Sequence, residues 1–248
     1  MRNLSKIVRR ITLNLLLFSF LLGLFASSAQ AELLAAAASL RPILEQAAQL
    51  FEKEKGIRVG LIFGTSGKLA LQIEMGAPFN LYLSADEHWA RHLEGKGILD
   101  NVRPVAETPL VLWWNSDIAP SLDLVEGKNY FIAIADPDTA PFGALALEYL
   151  EKTGILEQLK VEDRLIISGD VLKAALTAKY GLLTAALIPL SIAKMMEGSW
   201  TRTPMAPQRI FCGIVGKRGS RTSLEFLEFL FSPKIQELFQ EAGFEILS

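Results

Sequence analysis

The chain has 248 residues, half of them hydrophobic, enough to bury a full core and to build one large or two small domains. With 25 Lys and Arg against 27 Asp and Glu the formal charge is -2, so there is no basic field of the kind nucleic acid requires. Its single cysteine, Cys212, rules out an internal disulfide and, inside the apolar run 210–215, reads as a core position rather than a catalytic thiol.

Residues 1–31 have the layout of a secretory signal peptide. Arg2, Lys6, Arg9 and Arg10 precede an apolar run over 11–25, and Ser28-Ala29-Gln30-Ala31 supplies small residues for cleavage before Glu32. The run is near the short end for a spanning helix, and no cysteine lies at the cleavage point to carry a lipid. Export to the periplasm is the expectation. Removing four cations leaves 21 against 27, a charge near -6. An anion site on such a chain must be local, built from aimed dipoles rather than bulk positive charge.

The mature chain opens with the small-residue run Ala35-Ala36-Ala37-Ala38, which closes a strand. From Leu40 the apolar positions Leu40, Ile43, Leu44, Ala47, Ala48 and Phe51 recur at helical spacing, with Glu45, Gln46, Gln49, Glu52 and Lys53 opposite. Ser39 is expected at the N-cap, and Pro42 in the first turn removes no hydrogen bond the helix needs. Lys55-Gly56 ends this helix. The second strand is 58–63, followed by Gly64-Thr65-Ser66-Gly67-Lys68 and a helix over 69–75. A strand, a hydroxyl-bearing turn and a helix have thus occurred twice. The second turn is no P-loop, because Ile62 stands where the first glycine belongs and no Ser or Thr follows Lys68.

A third strand, 81–83, leads to Ser84-Ala85-Asp86 capping a helix through Leu93. That helix holds His88 and His92, an i, i+4 pair that could ligate a metal; with no placed carboxylate or cysteine to complete a site, they read as solvated surface groups. The run 109–114 is a buried strand taken as the crossing into a second lobe. There 130–135 is a strand, Asp136-Pro137-Asp138 a turn, and Ala140-Pro141-Phe142-Gly143 opens a helix through Leu150. A strand over 164–167 precedes Ser168-Gly169-Asp170-Val171, which opens a helix over 172–179, and the strand 182–188 stops at Pro189. The return crossing is 209–215, and helices over 223–231 and 234–242 pack back on the first lobe.

Strands alternating with helices predict an α/β fold, and a chain that leaves one lobe and returns predicts two lobes with a hinge: 32–110 as lobe 1, 111–212 as lobe 2, and 213–248 as the return to lobe 1. Ligands of such sheets bind beyond the C-terminal ends of the strands, where the four turns lie, so the cleft between lobes is the expected site. Arg41, Lys68 and Lys173 each fall in the first turn of a helix, where the macrodipole disfavours a cation by about 0.3–1 kcal/mol. Three such cations beside hydroxyl- or glycine-bearing helix starts point to a bound anion. An exported serine hydrolase is the competing class, with Ser39 and Ser66 as candidate nucleophiles; neither sits in a Gly-x-Ser-x-Gly elbow, and both histidines share one helix.

Ala36-Ala37-Ala38-Ser39-Leu40, Lys53-Glu54-Lys55-Gly56, the run from Leu69 to Pro78 and Leu83-Ser84-Ala85-Asp86 resemble the periplasmic molybdate-binding proteins of ABC importers. The resemblance spans the mature chain and is most specific in the first lobe. It implies a type II periplasmic-binding fold whose two lobes close on a tetrahedral oxyanion, molybdate or tungstate. It also implies a monomer delivering its ligand to a membrane permease, with no cofactor, no cationic metal and no catalytic step. Carried over by position, the family's serine ligands fall on Ser39 and Ser66, each offering hydroxyl and backbone N–H, and its backbone donors in the second lobe fall on Phe142 and Val171. Two positions depart from the pattern. Pro189 stands where the family has a tyrosine donor, and Asn80 where it has an aspartate. Either Ser191 or Tyr180 replaces the missing hydroxyl, or the site is tuned to another oxyanion or a small organic acid.

Overall fold

Two five-stranded sheets with matching strand orders divide the structure into two lobes, the α/β architecture expected from the sequence. The structure is a computed structural model that describes residues 32–127 and 130–247, so the signal-peptide segment lies outside the described residues. The strands are β1 (Glu32–Ala37), β2 (Val59–Gly64), β3 (Leu81–Ser84), β4 (Leu99–Thr108), β5 (Leu110–Trp114), β6 (Phe131–Ala135), β7 (Leu165–Ser168), β8 (Thr184–Pro189), β9 (Ser199–Arg202) and β10 (Gln208–Val215). The helices are α1 (Arg41–Lys55), α2 (Ser66–Glu74), α3 (Glu87–Gly95), α4 (Leu122–Gly127), α5 (Pro141–Lys152), α6 (Leu156–Val161), α7 (Val171–Tyr180), α8 (Leu190–Met195), α9 (Arg221–Leu230) and α10 (Pro233–Glu241).

The first sheet runs β2-β1-β3-β10-β4 and the second β7-β6-β8-β5-β9. In each, the earliest of three parallel strands lies between the other two, and two further strands are added antiparallel. Parallel pairing requires a crossover helix, and both faces of the central strands are consequently covered, which is why Leu34, Ala36, Ile132, Ala133 and Leu187 are fully buried. Amphipathic α1 lays Ile43, Leu44, Ala47 and Phe51 into this core, and Phe51 meets Phe226 of α9 edge-on with ring centroids 5.1 Å apart.

The chain leaves the first sheet at Thr108 and joins the second at Leu110, so Pro109 is the outward crossing. The return falls between Arg202 and Gln208. Residues 208–212, which the sequence reading placed at the end of lobe 2, pair with β3 and β4 of the first sheet. An apolar run announces a buried strand without saying which sheet receives it. Buried Glu32 accepts hydrogen bonds from the hydroxyls of Ser220 and Ser223, pinning the start of β1 to the start of α9. Near the crossings the C-terminal segment is tied in by the paired backbones of Glu107 and Glu245, by Thr108 Oγ1 donating to Gly243 O at 2.8 Å, and by the Arg202–Glu245 ion pair, also at 2.8 Å.

Candidate functional site

The carboxyl ends of β1, β2, β6 and β7 all point to one cavity between the lobes. It is lined by Ala37, Ala38, Ser39, Gly64, Thr65 and Ser66, with Ala85 beside them, from the first lobe, and by Ala140, Pro141, Phe142, Asp170 and Val171 from the second. All four residues expected at the site, Ser39, Ser66, Phe142 and Val171, are therefore brought together. The cavity is small, about 220 Å³ of space with its open mouth included, below the usual range of pockets for larger organic ligands and on the scale of one small ion.

Each corner is a helix start, where the first backbone N–H groups have no intrahelical partners. Ser39 is not the N-cap the spacing predicts. It lies inside a short 3-10 turn, Ala38–Leu40, whose N-cap is Ala37, and neither that turn nor α1 has a side-chain cap. The small alanines let the chain tighten by one residue before α1 begins, which turns the serine inward. Its hydroxyl is buried and has no protein hydrogen-bond partner among the described residues. Its carbonyl is occupied, accepting from Ser191 Oγ at 2.8 Å.

Ser66 is held from two sides. Its Oγ accepts from Ala85 N at 3.0 Å and its carbonyl from the buried Tyr82 hydroxyl at 2.8 Å. A hydroxyl that accepts from an amide keeps its own proton to donate. Thr65, not Ser66, caps α2, its side chain accepting from Lys68 N at 3.4 Å. In the second lobe α5 starts at Ala140 and Pro141 with no side-chain cap, although this end is buried, and because proline has no N–H, Phe142 offers the first amide of the helix. Asp170 caps α7 by accepting from Lys173 N at 3.0 Å, which turns its carboxylate onto its own helix and leaves Val171 as the first amide of that helix. A buried helix end without a cap is normally stabilised by a ligand or water, and an anion is the partner its dipole favours.

The two lobes also touch at the mouth. Gly67 N donates to Thr139 O at 2.9 Å, and Lys68 Nζ stands 3.5 Å from Asp136 Oδ2. A Cβ on Gly67 would sit 2.7 Å from the Trp89 ring and 3.1 Å from Thr139 O, so only glycine allows this approach. Of the three first-turn cations, Lys68 and Lys173 pair with Asp136 and Asp170, and Arg41 pairs with Glu45 and stacks on Phe63.

The remaining sequence candidates lie elsewhere. His92 contacts Glu74 at 3.0 Å, both histidine rings meet Trp89 edge-on, and no metal-binding cluster exists among the described residues. Neither site serine is hydrogen-bonded to a histidine, so the hydrolase constellation is not assembled. Cys212 is buried against Arg103 O, and burial pushes its thiol up to about 12. Asn80 is structural, accepting from Leu33 N and donating to Arg218 O, each at 2.8 Å. Pro189 caps α8 and does not line the cavity, Tyr180 is exposed, and Ser191 spends its proton on Ser39. Ala38, the end of the small-residue run, and Ala85 and Ala140, in turns that open helices, line the cavity as small walls.

Residues 33–245 match the bacterial extracellular solute-binding protein family. The chain belongs to that family. This solute-binding protein is 30% identical over 241 residues to the molybdate-binding protein ModA of Rhodobacter capsulatus, covering 91% of this chain and 93% of that one. It is 31% identical over 236 residues to ModA of Azotobacter vinelandii, covering 90% and 93%. Among solved structures, the periplasmic molybdate-binding protein of Azotobacter vinelandii superposes with a TM-score of 0.81 at 26% identity, covering 88% of this chain and 100% of that one.

Proposed function

We propose that this solute-binding protein captures molybdate, or the nearly equal-sized tungstate, in the interlobe cavity. It works as a periplasmic monomer, hands the anion to the membrane permease of an ABC importer, and performs no catalytic step. The observation that carries this reading is the buried Ser39 hydroxyl, without a protein partner, at a cavity where helix starts of both lobes converge. The relatives named above support the choice of ion. In this reading residues 32–109 with 208–247 form one lobe, and 110–127 with 130–207 the other.

Ser39 and Ser66 donate through hydroxyl and backbone N–H, and Phe142 and Val171 through backbone N–H. These donors are neutral and fixed by the fold, so the dianion exchanges its hydration shell for preorganised dipoles without bringing a buried counter-charge. Four of them come from the first lobe and two from the second. The anion therefore binds the closed arrangement more tightly than the open one, and closure follows from that difference. Protonated phosphate presents a proton where a donor already points, and a ring of donors spaced for long metal–oxygen bonds holds sulfate loosely.

Isothermal titration calorimetry with molybdate, tungstate, sulfate and phosphate tests the assignment. The expected result is tight binding of the first two with sulfate and phosphate at least about a hundredfold weaker, a gap of about 2.7 kcal/mol. Heat with an organic acid alone, or tighter binding of sulfate than of molybdate, would overturn it.

A further inference from the structure

Ser191 occupies the second position of α8, two residues after the proline that stands where a tyrosine donor was expected. Its hydroxyl reaches from the second lobe to the first and donates to the carbonyl of Ser39, 152 residues away, at 2.8 Å. Both residues are buried, at 0% and 1% exposure. Ser191 does not line the cavity and does not face the ligand position. It grips the back of the residue that does.

The grip matters because of how Ser39 is held otherwise. The turn that carries it has no side-chain cap, and its hydroxyl has no protein partner. A hydrogen bond on the Ser39 carbonyl fixes the plane of the following peptide and with it the rotation of the Ser39 backbone, which aims both its N–H and its side chain. α8 is a firm anchor for this, since Leu190 N donates to Pro109 O, the outward crossing residue, at 2.9 Å. The bond therefore ties the ligand-facing turn of one lobe to the hinge end of the other.

We propose that Ser191 is a positioning residue for the oxyanion site, acting through Ser39. The inference rests on the oxyanion reading above and adds to it a residue that touches no ligand. Misplacing a donor by a few tenths of an ångström weakens a charge-assisted bond without abolishing it, so the effect is smaller than deleting the donor.

A double-mutant cycle read by calorimetry with sodium molybdate tests it. Ser191→Ala is expected to weaken binding about tenfold, while Ser191→Thr, which keeps the hydroxyl, stays within about threefold of wild type. In a Ser39→Ala background, where the hydroxyl is gone and only the backbone N–H remains to be aimed, Ser191→Ala is expected to cost less than about threefold. Should Ser191→Ala fail to fold, Ser191→Cys, similar in shape with a weak donor, replaces it with the same expected loss. Unchanged affinity in the Ser191 variant overturns the proposal, and so does an equal loss in both backgrounds, the signature of a general structural effect. Wild-type protein that binds none of the oxyanions overturns the parent reading together with this one; wild-type protein that binds molybdate while Ser191→Ala does so equally well overturns this one alone.

Discussion

Ser39→Ala separates binding from folding more sharply than any other change at the site. The Ser39 hydroxyl is buried and engages no protein group, so the fold loses no hydrogen bond when it is removed. A bond from a neutral hydroxyl to a charged ligand contributes about 1.5–3 kcal/mol, and taking about 2 gives roughly a thirtyfold weaker complex. At a molybdate concentration a thousand times the wild-type Kd, ligand stabilises the folded state by about 4.1 kcal/mol, which falls to about 2.1 kcal/mol in the variant. For a domain of this size that shrinks the ligand-induced rise in Tm from about 8–16 °C to about 4–8 °C. The Tm without ligand stays the same or rises, because a buried hydroxyl lacking a protein partner is a cost. Differential scanning calorimetry with and without molybdate reads both quantities. A Tm without ligand lowered by several degrees, or an undiminished ligand shift, would refute the reasoning.

Val171→Pro removes a backbone donor with little disturbance, since proline suits the first position of a helix and the preceding Asp170 is already extended; molybdate affinity is expected to fall about thirtyfold while Val171→Ala, which keeps the N–H, stays within about threefold. Gly67→Ala pushes a methyl against Trp89 and Thr139 O, so binding is expected to weaken at least about tenfold and small-angle scattering with molybdate to show a more open particle than wild type. Burial raises the Asp136 carboxyl, but the Thr139 hydroxyl, the Asp138 amide and Lys68 outweigh it and hold it below the ordinary carboxylate range. Its contribution to stability is therefore complete above the ordinary value and lost only as pH falls through the lowered one, so chemical denaturation should show no transition from this group between about pH 8 and 5. Cys212, with its thiol pushed up to about 12, is expected to resist a thiol reagent at neutral pH until denaturant exposes it.

Where the sequence spoke clearly, the reason was turn chemistry. Pro141 and Asp170 mark helix starts by their own conformational preferences, and α5 and α7 begin there; Phe142 and Val171 as donors come from the family resemblance, since a main-chain donor leaves no trace in residue identity. Ser39 was found for a reason that did not hold, because a serine before an apolar periodicity predicts a cap, and the alanines around it instead allow a tighter turn. Strand β4 escaped because Asp100, Arg103, Pro104 and Glu107 interrupt any alternation. Apart from the single Glu107–Glu245 bridge, it pairs with β10 at the sheet edge and in an irregular register, and an edge tolerates charge and proline that a central strand would not. The Ser191 to Ser39 contact is invisible to any local pattern, since 152 residues separate the partners.

The charges around the cavity bear on the proposed use of neutral donors. Lys68 and Lys173 are each committed to a carboxylate, Asp136 and Asp170, at 3.5 and 3.6 Å. Exposed pairs of this kind contribute about 0–1 kcal/mol and fade with salt. A site that relied on them would lose affinity as ionic strength rose and would accept any dianion. Buried N–H and O–H groups are screened far less and have direction, so they can distinguish ions by geometry rather than by charge alone. Molybdate affinity should accordingly change less than about threefold between 20 and 300 mM sodium chloride, whereas a steep decline would show that the lysines, and not the helix starts, hold the anion.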